Sequence, residues 1–204
     1  MKQKYRALFN LAAALLCVIC VCLAVYSVRC IRANEKCREE LAYDLLWNLA
    51  AIEVACDTVL DETESRLNRD VAFGNIRRCM MNLLEDYSVS DNYAHALSRP
   101  TFFGTEYFWN YGSVFDEDLE AIVAYYRALE LKFVDTLTLT DAEAQSIINL
   151  REEAHAVVAE FVSEVDYTVA PTLSVKKTAT EPYLLSKALH VFWRNLENPG
   201  AKAY

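Results

Sequence analysis

The feature that most constrains this fold is the scarcity of the two residues that interrupt helices. The chain of 204 residues contains four glycines and four prolines, and it has no glycine before Gly74 and no proline before Pro100. Sandwiches and barrels need a turn every ~8–12 residues, and their turns draw on glycine and proline. Broadly apolar residues make up 54% of the chain, which is too many for a disordered protein. The sequence therefore predicts an all-α fold built from long helices.

Residues 8–28 form a run of 21 residues without a charged side chain, and a short basic tail over residues 1–7 precedes it. About 20 apolar residues span the ~30 Å hydrocarbon core of a bilayer, so the run predicts a transmembrane helix that acts as a signal anchor. A cleaved signal peptide is the alternative, although its apolar core is usually ~7–15 residues long. A buried helix of a soluble protein is a third interpretation. We expect the lipid bilayer to be a partner of residues 8–28.

Charge is divided unevenly along the chain. Residues 1–38 carry seven Lys/Arg and one Glu, residues 39–166 carry eight Lys/Arg and 26 Asp/Glu, and residues 167–204 carry five Lys/Arg and two Glu. Such an acidic body repels phosphate groups, so we expect no nucleic-acid binding and a body held off anionic lipid. Four basic residues follow the apolar run against three before it, and this count does not decide the orientation. The short basic tail favours a cytoplasmic amino end, which would place the acidic body on the extracytoplasmic side.

The rest of the chain predicts an up-down antiparallel bundle of about four helices plus a short C-terminal helix. Residues 29–40 are interpreted as a juxtamembrane stalk and residues 41–166 as the acidic helical bundle. Residues 167–181 lack periodicity and contain a proline, so they are interpreted as a linker. Residues 182–197 follow as an amphipathic helix that is too short and too basic to be a second membrane span.

Apolar residues at spacings of three and four define one face of each predicted helix. The clearest stripes are Leu45, Leu49, Ile52, Cys56 and Val59, then Phe73, Ile76, Met80, Leu83 and Tyr87, then Phe115, Leu119, Ile122, Tyr126, Leu129, Phe133 and Leu137, then Ala144, Ile147, Ala154, Val158, Phe161 and Val165, and finally Leu185, Leu189, Phe192 and Leu196. The first stripe belongs to a helix that reaches residue 67 or 68. Summed over these helices, the pattern predicts a body with a real hydrophobic core.

Local signals place the starts and ends of the helices. The second helix is predicted from about residue 70, with Asp70 as its cap, to residue 87, where a turn-like cluster over residues 88–92 ends it. The third and fourth helices begin at Ser113-x-x-Asp116 and at Thr140-x-x-Glu143, which both resemble capping boxes.

The seven cysteines fall into three groups along the chain. Those within residues 8–28 are interpreted as small apolar residues of the membrane helix. Cys56 and Cys79 are predicted as buried free thiols, with a disulfide between them as the alternative in an oxidising compartment. Cys30 and Cys37, seven residues apart on one helix face, would cross-link two parallel copies, so a homodimer stays open.

Glu152 and His155 form the most suggestive chemical motif. Glu-x-x-His places a carboxylate and an imidazole on one helix face, as dimetal carboxylate bundles require. Those sites need a second such motif, and neither His95 nor His190 follows a glutamate at that spacing. The sequence also has no phosphate-binding Gly-rich loop and no Gly-x-Ser-x-Gly elbow. We therefore expect no enzymatic activity, cofactor or metal, and keep a helical metal-binding protein or enzyme as an alternative.

Residues 102–115 contain seven aromatic residues in 14 positions. Large aromatic side chains contribute much of the free energy of protein interfaces. The segment would either plug one end of the bundle or form a recognition surface for a partner or an apolar ligand. The C-terminal helix would likewise dock on the bundle, meet a partner or lie on a bilayer. The candidate interaction surface consists of Phe102, Phe103, Tyr107, Phe108, Trp109, Tyr111, Phe192 and Trp193.

These observations predict a single-pass, membrane-anchored protein with a non-catalytic interaction or accessory role and an unidentified protein partner. A sensor or ligand-binding subunit is the alternative. It would work through the output domain of a partner, because only seven residues precede the apolar run.

Overall fold

The structure is a computed structural model that describes residues 2–92, 99–101, 104–106, 116–167, 170–181 and 184–196. In these ranges the helices are α1 (Lys2–Leu60), α2 (Arg66–Asn92), α3 (Asp116–Thr136), α4 (Asp141–Phe161) and α5 (Leu184–Leu196), with a 3₁₀ turn at Lys177–Thr180. The strands are β1 (Arg99–Thr101), β2 (Gly104–Glu106), β3 (Val162–Asp166) and β4 (Thr172–Val175). The predicted all-α bundle is confirmed, and two short antiparallel hairpins, β1–β2 and β3–β4, are added to it.

The first helix joins the apolar run to the bundle without a break. α1 has 59 residues and is about 90 Å long at ~1.5 Å per residue. Near its amino end an 18-residue window has a mean hydropathy of 2.5 and no buried residue, so it is long and apolar enough to cross a membrane. The predicted stalk is part of the same helix, and the packed body begins within it at Arg38, which is 5% exposed.

Helices α1 to α4 form a ring, a four-helix bundle in which each helix runs antiparallel to the two helices beside it. α1 packs against α2 and α4, and α2 packs against α3. The ring closes where Tyr125 Oη of α3 donates a hydrogen bond to Ser146 Oγ of α4 at 3.0 Å. On the α1–α2 side, Asn82 Nδ2 donates to Asn48 Oδ1 at 3.2 Å.

The apolar stripes predicted from the sequence line the interior of this ring. All five residues of the first stripe are 0% exposed. On the later helices, most of the predicted residues whose side chains are described are also buried. Leu137 is an exception, because α3 ends one residue before it and its side chain is 39% exposed.

The turn between α1 and α2 differs from the prediction. α1 ends at Leu60, and Asp61 accepts hydrogen bonds from the backbone N–H (2.8 Å) and the hydroxyl (2.7 Å) of Thr63. Ser65 Oγ then accepts the backbone N–H of Asn68 at 3.2 Å, so Ser65 caps α2 and the predicted cap at Asp70 is wrong. The predicted turn at residues 88–92 is also wrong, since α2 continues to Asn92. Local sequence propensity is a weak prior for where a helix ends.

The start of α4 confirms its predicted capping box. Thr140 Oγ1 accepts the Glu143 N–H at 3.3 Å, and Glu143 Oε2 accepts the Thr140 N–H at 2.8 Å. Desolvation acts to raise the pKa of Glu143, but hydrogen bonds from Lys132 and Thr140 outweigh it and the pKa is lowered. Ser113, the predicted cap of α3, lies outside the described residues, and α3 begins at Asp116.

The carboxyl end of α4 differs from the predicted boundary at residue 166. The helix ends at Phe161, and β3 and β4 form an antiparallel hairpin where a helical end and a linker were expected. Lys176 closes this helix end, because its Nζ donates to the carbonyls of Ala159 (3.0 Å) and Glu160 (2.8 Å). These carbonyls have no partner within the helix, so the lysine satisfies them and complements the helix dipole.

Candidate interaction surfaces

Two residues of the predicted interaction surface lie in the core. Phe192 and Trp193 of α5 are 1% and 0% exposed, and their rings meet edge to face with centroids 5.2 Å apart. α5 packs on α4 and on the 3₁₀ turn, and Asn195 Nδ2 donates to Glu153 Oε2 at 2.7 Å. The prediction that Phe192 and Trp193 form an exposed surface is therefore wrong, because the apolar face of α5 docks on the bundle.

The remaining predicted surface residues lie outside the described residues. They are Phe102, Phe103, Tyr107, Phe108, Trp109 and Tyr111.

The helices on either side of that segment show where it leaves the bundle. Asn82 of α2 pairs with Asn48 of α1, and α2 runs antiparallel to α1 for about ten more residues to Asn92. Asn92 is therefore level with about residue 38 of α1. α3 starts at this same end, because it runs antiparallel to α2. The α2–α3 connection thus begins and ends on the side of the bundle from which the apolar part of α1 projects.

The Glu152–His155 motif contributes one of its two residues to a contact between helices. His155 Nδ1 lies 2.9 Å from Glu53 Oε1 of α1, and Tyr167 Oη donates to Glu53 Oε2 at 3.2 Å. Burial, and then the charge of Glu53, raise the pKa of Tyr167 to about 12. Glu152 is exposed beside this contact, and both residues of the motif line an open depression of about 300 Å³ between α1 and α4.

An ion pair between α4 and α1 lines the same depression. Arg151 Nη1 donates to Asp57 Oδ1 at 2.9 Å, and the two side chains are 36% and 58% exposed. Exposed pairs of this kind contribute ~0–1 kcal/mol, so the contact orients α4 on α1 more than it stabilises it. Within the part of the chain that the structure describes, no group of three or more His, Cys, Asp or Glu side chains is arranged to hold a metal ion.

The cysteines outside the apolar run differ sharply in exposure. Cys56 and Cys79 are buried free thiols, as predicted, and desolvation raises the pKa of both. Cys30 and Cys37 are exposed on the helix between the apolar run and the body.

An open apolar groove of about 500 Å³ lies between the outer faces of α1 and α2. Leu67 and Val71, on the α2 side, are 70% and 55% exposed. Its lining consists of Trp47, Ala51, Val54, Ala55, Thr58, Leu67, Asn68, Val71, Ala72, Asn75, Arg78, Cys79, Ala170 and Pro171. The last two belong to the β3–β4 hairpin, which crosses α1 and forms one edge of the groove.

This groove was not among the surfaces predicted from the sequence. Leu67 and Val71 are four residues apart and lie off the predicted core stripe that begins at Phe73. That spacing is a signal for a second apolar face on α2. The hairpin edge had no comparable signal, because Ala170 and Pro171 reach α1 only through tertiary packing.

No protein-family model matches this chain, and comparisons with curated proteins and with solved structures found no significant match.

Proposed function

We propose that this protein is a single-pass, membrane-anchored helical bundle with a non-catalytic interaction or accessory role. One observation supports the proposal above all others: α1 carries a wholly exposed apolar window and, further along the same helix, the central stripe of the bundle core. Soluble monomers rarely expose apolar patches larger than a few hundred Å². A bilayer around residues 8–28 removes that exposure, and the uninterrupted helix then holds the bundle at a defined position relative to the membrane.

The proposed orientation rests on the short basic tail, because the Lys/Arg counts on the two sides of the apolar run do not decide it. The basic tail over residues 1–7 favours a cytoplasmic amino end, and the acidic body, with 26 Asp/Glu against eight Lys/Arg over residues 39–166, is then extracytoplasmic. An uncleaved signal anchor produces this arrangement. A parallel homodimer linked through Cys30 and Cys37 stays compatible with it, because both thiols are exposed.

The interaction role is assigned to the aromatic segment over residues 102–115. The ends of the α2–α3 connection support this assignment, because they lie on the membrane side of the bundle. A protein partner that contacts the segment would itself be membrane-associated. Tyrosine and tryptophan suit such a position, since both are enriched where protein meets the membrane–water interface.

Extraction tests the anchor. The full chain is expected to stay in membranes that are washed with alkaline carbonate, and protease added to intact cells is expected to digest the acidic body. Arginine at Leu16 and Val21 costs ~2.5–3.5 kcal/mol each in a membrane centre and should release the protein. Arginine at the exposed Glu39 and Glu40 is the matched control and should not. Release of the unchanged chain by carbonate would refute the anchor.

Partner capture tests the interaction surface. Cross-linking in native membranes followed by purification is expected to recover a membrane-associated partner. Phe108→Ala combined with Trp109→Ala should abolish recovery while circular dichroism shows an intact bundle. Tyr43→Ala, which truncates a 37% exposed aromatic residue on α1, is the matched control. Unchanged recovery with the double variant would remove residues 102–115 from the proposal.

A ligand-binding subunit that works through a partner is the second candidate, and the groove between α1 and α2 favours it. A helical metal-binding protein or enzyme is less well supported. His155 contacts Glu53 of the neighbouring helix. Among the described residues, Glu152 belongs to no group of three or more side chains that could hold a metal ion.

A further inference from the structure

We propose that the groove between α1 and α2 binds a single-chain anionic amphiphile, a fatty acid, with its chain along the apolar lining and its carboxylate at Arg78. This site goes beyond the proposed accessory role and does not depend on it. The groove volume of about 500 Å³ falls within the ~300–1,000 Å³ of typical small-molecule sites.

The apolar part of the groove suits an acyl chain. Trp47 is half-buried on α1, and the exposed side chains of Val54 and Val71 face the groove from the two helices. From Leu67 to Arg78, α2 rises through eleven residue-to-residue steps, or about 16 Å at ~1.5 Å per residue. An extended chain laid along α2 would cover Leu67 and Val71, which are the most exposed large apolar side chains of the lining.

The charge of the groove selects the head group. Residues 39–166 carry 26 Asp/Glu, yet none of the described residues that line the groove is acidic. Arg78 is the one charged side chain among them. Its Nη2 donates to Asn75 Oδ1 at 3.2 Å, and it takes part in none of the ion pairs found among the described residues.

The two ends of the groove therefore differ in the hydrogen-bond donors that they offer to a carboxylate. At the Leu67 end, the amide of Asn68 already donates one hydrogen bond, to Glu64 Oε2 at 2.7 Å. At the Arg78 end, a guanidinium is exposed beside a neutral amide. A carboxylate gains a charge-assisted hydrogen bond only at the Arg78 end, so the head group points there and the far end of the chain reaches Leu67.

Photo-cross-linking of the full chain in phosphatidylcholine nanodiscs tests the site. The probe is dodecanoate with a diazirine at the far end of its chain. Peptide mapping is expected to place the label near Leu67 and Val71, in addition to labels in the apolar part of α1 that report probe dissolved in the bilayer. Unlabelled dodecanoate should compete for the groove label at about tenfold lower concentration than dodecanol, the neutral analogue.

Two pairs of variants separate the head-group contact from the chain contact. Arg78→Gln should weaken groove labelling about tenfold, whereas Arg127→Gln, at an exposed position on α3, should leave it unchanged. Val71→Asp places a carboxylate under the chain and should abolish labelling. Leu131→Asp, at a 60% exposed position on α3, is its control and should have no effect.

Three results would overturn the proposal. The first is labelling confined to the apolar part of α1. The second is equal competition by dodecanoate and dodecanol, which would remove the role of Arg78. The third is a native protein cross-link at Leu67 or Val71 that dodecanoate does not displace, which would make the groove a protein-docking surface. None of these results refutes membrane anchoring, which carbonate extraction tests separately.

Discussion

Phe133 connects α2 and α3 at the core, and its removal offers a direct measure of that packing. The side chain is 1% exposed. Its ring centroid lies 4.8 Å from that of Phe73 at an interplanar angle of 38°, and the guanidinium carbon of Arg69 lies 4.8 Å from the same centroid. Phe133→Ala therefore removes a buried ring, an aromatic pair and a cation–π contact together.

The magnitude follows from these contacts. Truncation of a fully buried phenylalanine to alanine lowers the free energy of unfolding by ~3–5 kcal/mol. This value already includes the contacts that the ring makes with its neighbours. Phe133→Leu keeps most of the volume, and we expect it to cost ~1–1.5 kcal/mol, because the aromatic pair contributes ~0.5–1.5 kcal/mol beyond burial. Leu131→Ala, two positions away and 60% exposed, should change stability by less than ~0.5 kcal/mol.

Urea denaturation of the full chain in detergent micelles is the assay, followed by circular dichroism. The apolar half of α1 stays helical in the micelle, so the loss of signal reports on the bundle. A double-mutant cycle that combines Phe73→Leu with Phe133→Leu measures the coupling free energy between the two rings. If Phe133→Ala costs no more than Leu131→Ala, or if the cycle shows no coupling between Phe73 and Phe133, then α2 and α3 do not pack as described.

Four further predictions follow from single residues. Leu137 has φ of 60°, where a residue with a Cβ pays ~1–2 kcal/mol, so Leu137→Gly should raise the urea midpoint and Leu137→Ala should not. Because the pKa of Glu143 is lowered in the folded state, its contribution to stability is present above the ordinary glutamate pKa of ~4.3 and is lost as the pH falls through the lowered value. In urea denaturation measured at a series of pH values, Glu143→Gln should therefore lose less stability on acidification than the unchanged protein. An equal loss in the two proteins would contradict this prediction. Thr140→Ala should cost ~1 kcal/mol in the same assay through loss of the cap. Iodoacetamide should alkylate Cys37 in the native protein but Cys56 only after unfolding, because Cys56 is buried and desolvation raises its pKa; equal rates by mass spectrometry would show that the core is open there.

Helix positions and their inward faces could be predicted because their causes are local. The stripe from Leu45 to Val59 repeats every three or four residues, and any helix with that repeat buries one face. The capping box of Thr140 and Glu143 joins atoms only three residues apart, so it forms wherever that helix starts. Composition also excluded a β-rich fold before any element was placed.

Errors in the predicted boundaries arose where a local pattern favoured one structure and distant contacts favoured another. Residues 162–166 continue the apolar pattern of α4 through Val165, yet they form β3. The outcome depends on β4, ten residues later in the chain, and on Lys176, which closes the end of α4. Pairing between separated segments leaves no mark in a single helical repeat, so a local pattern could not choose between the two.

Exposure of an apolar residue depends on what the rest of the chain covers. The repeat that identified α5 is the same whether Phe192 meets the bundle, a partner or lipid, and only the packing of α5 on α4 decided that it is buried. Likewise, Leu67 and Val71 stand beside an open groove because α1 and the β3–β4 hairpin leave space there. Local periodicity sets which side chains share a face of a helix, whereas the arrangement of all the helices sets which faces remain in contact with solvent.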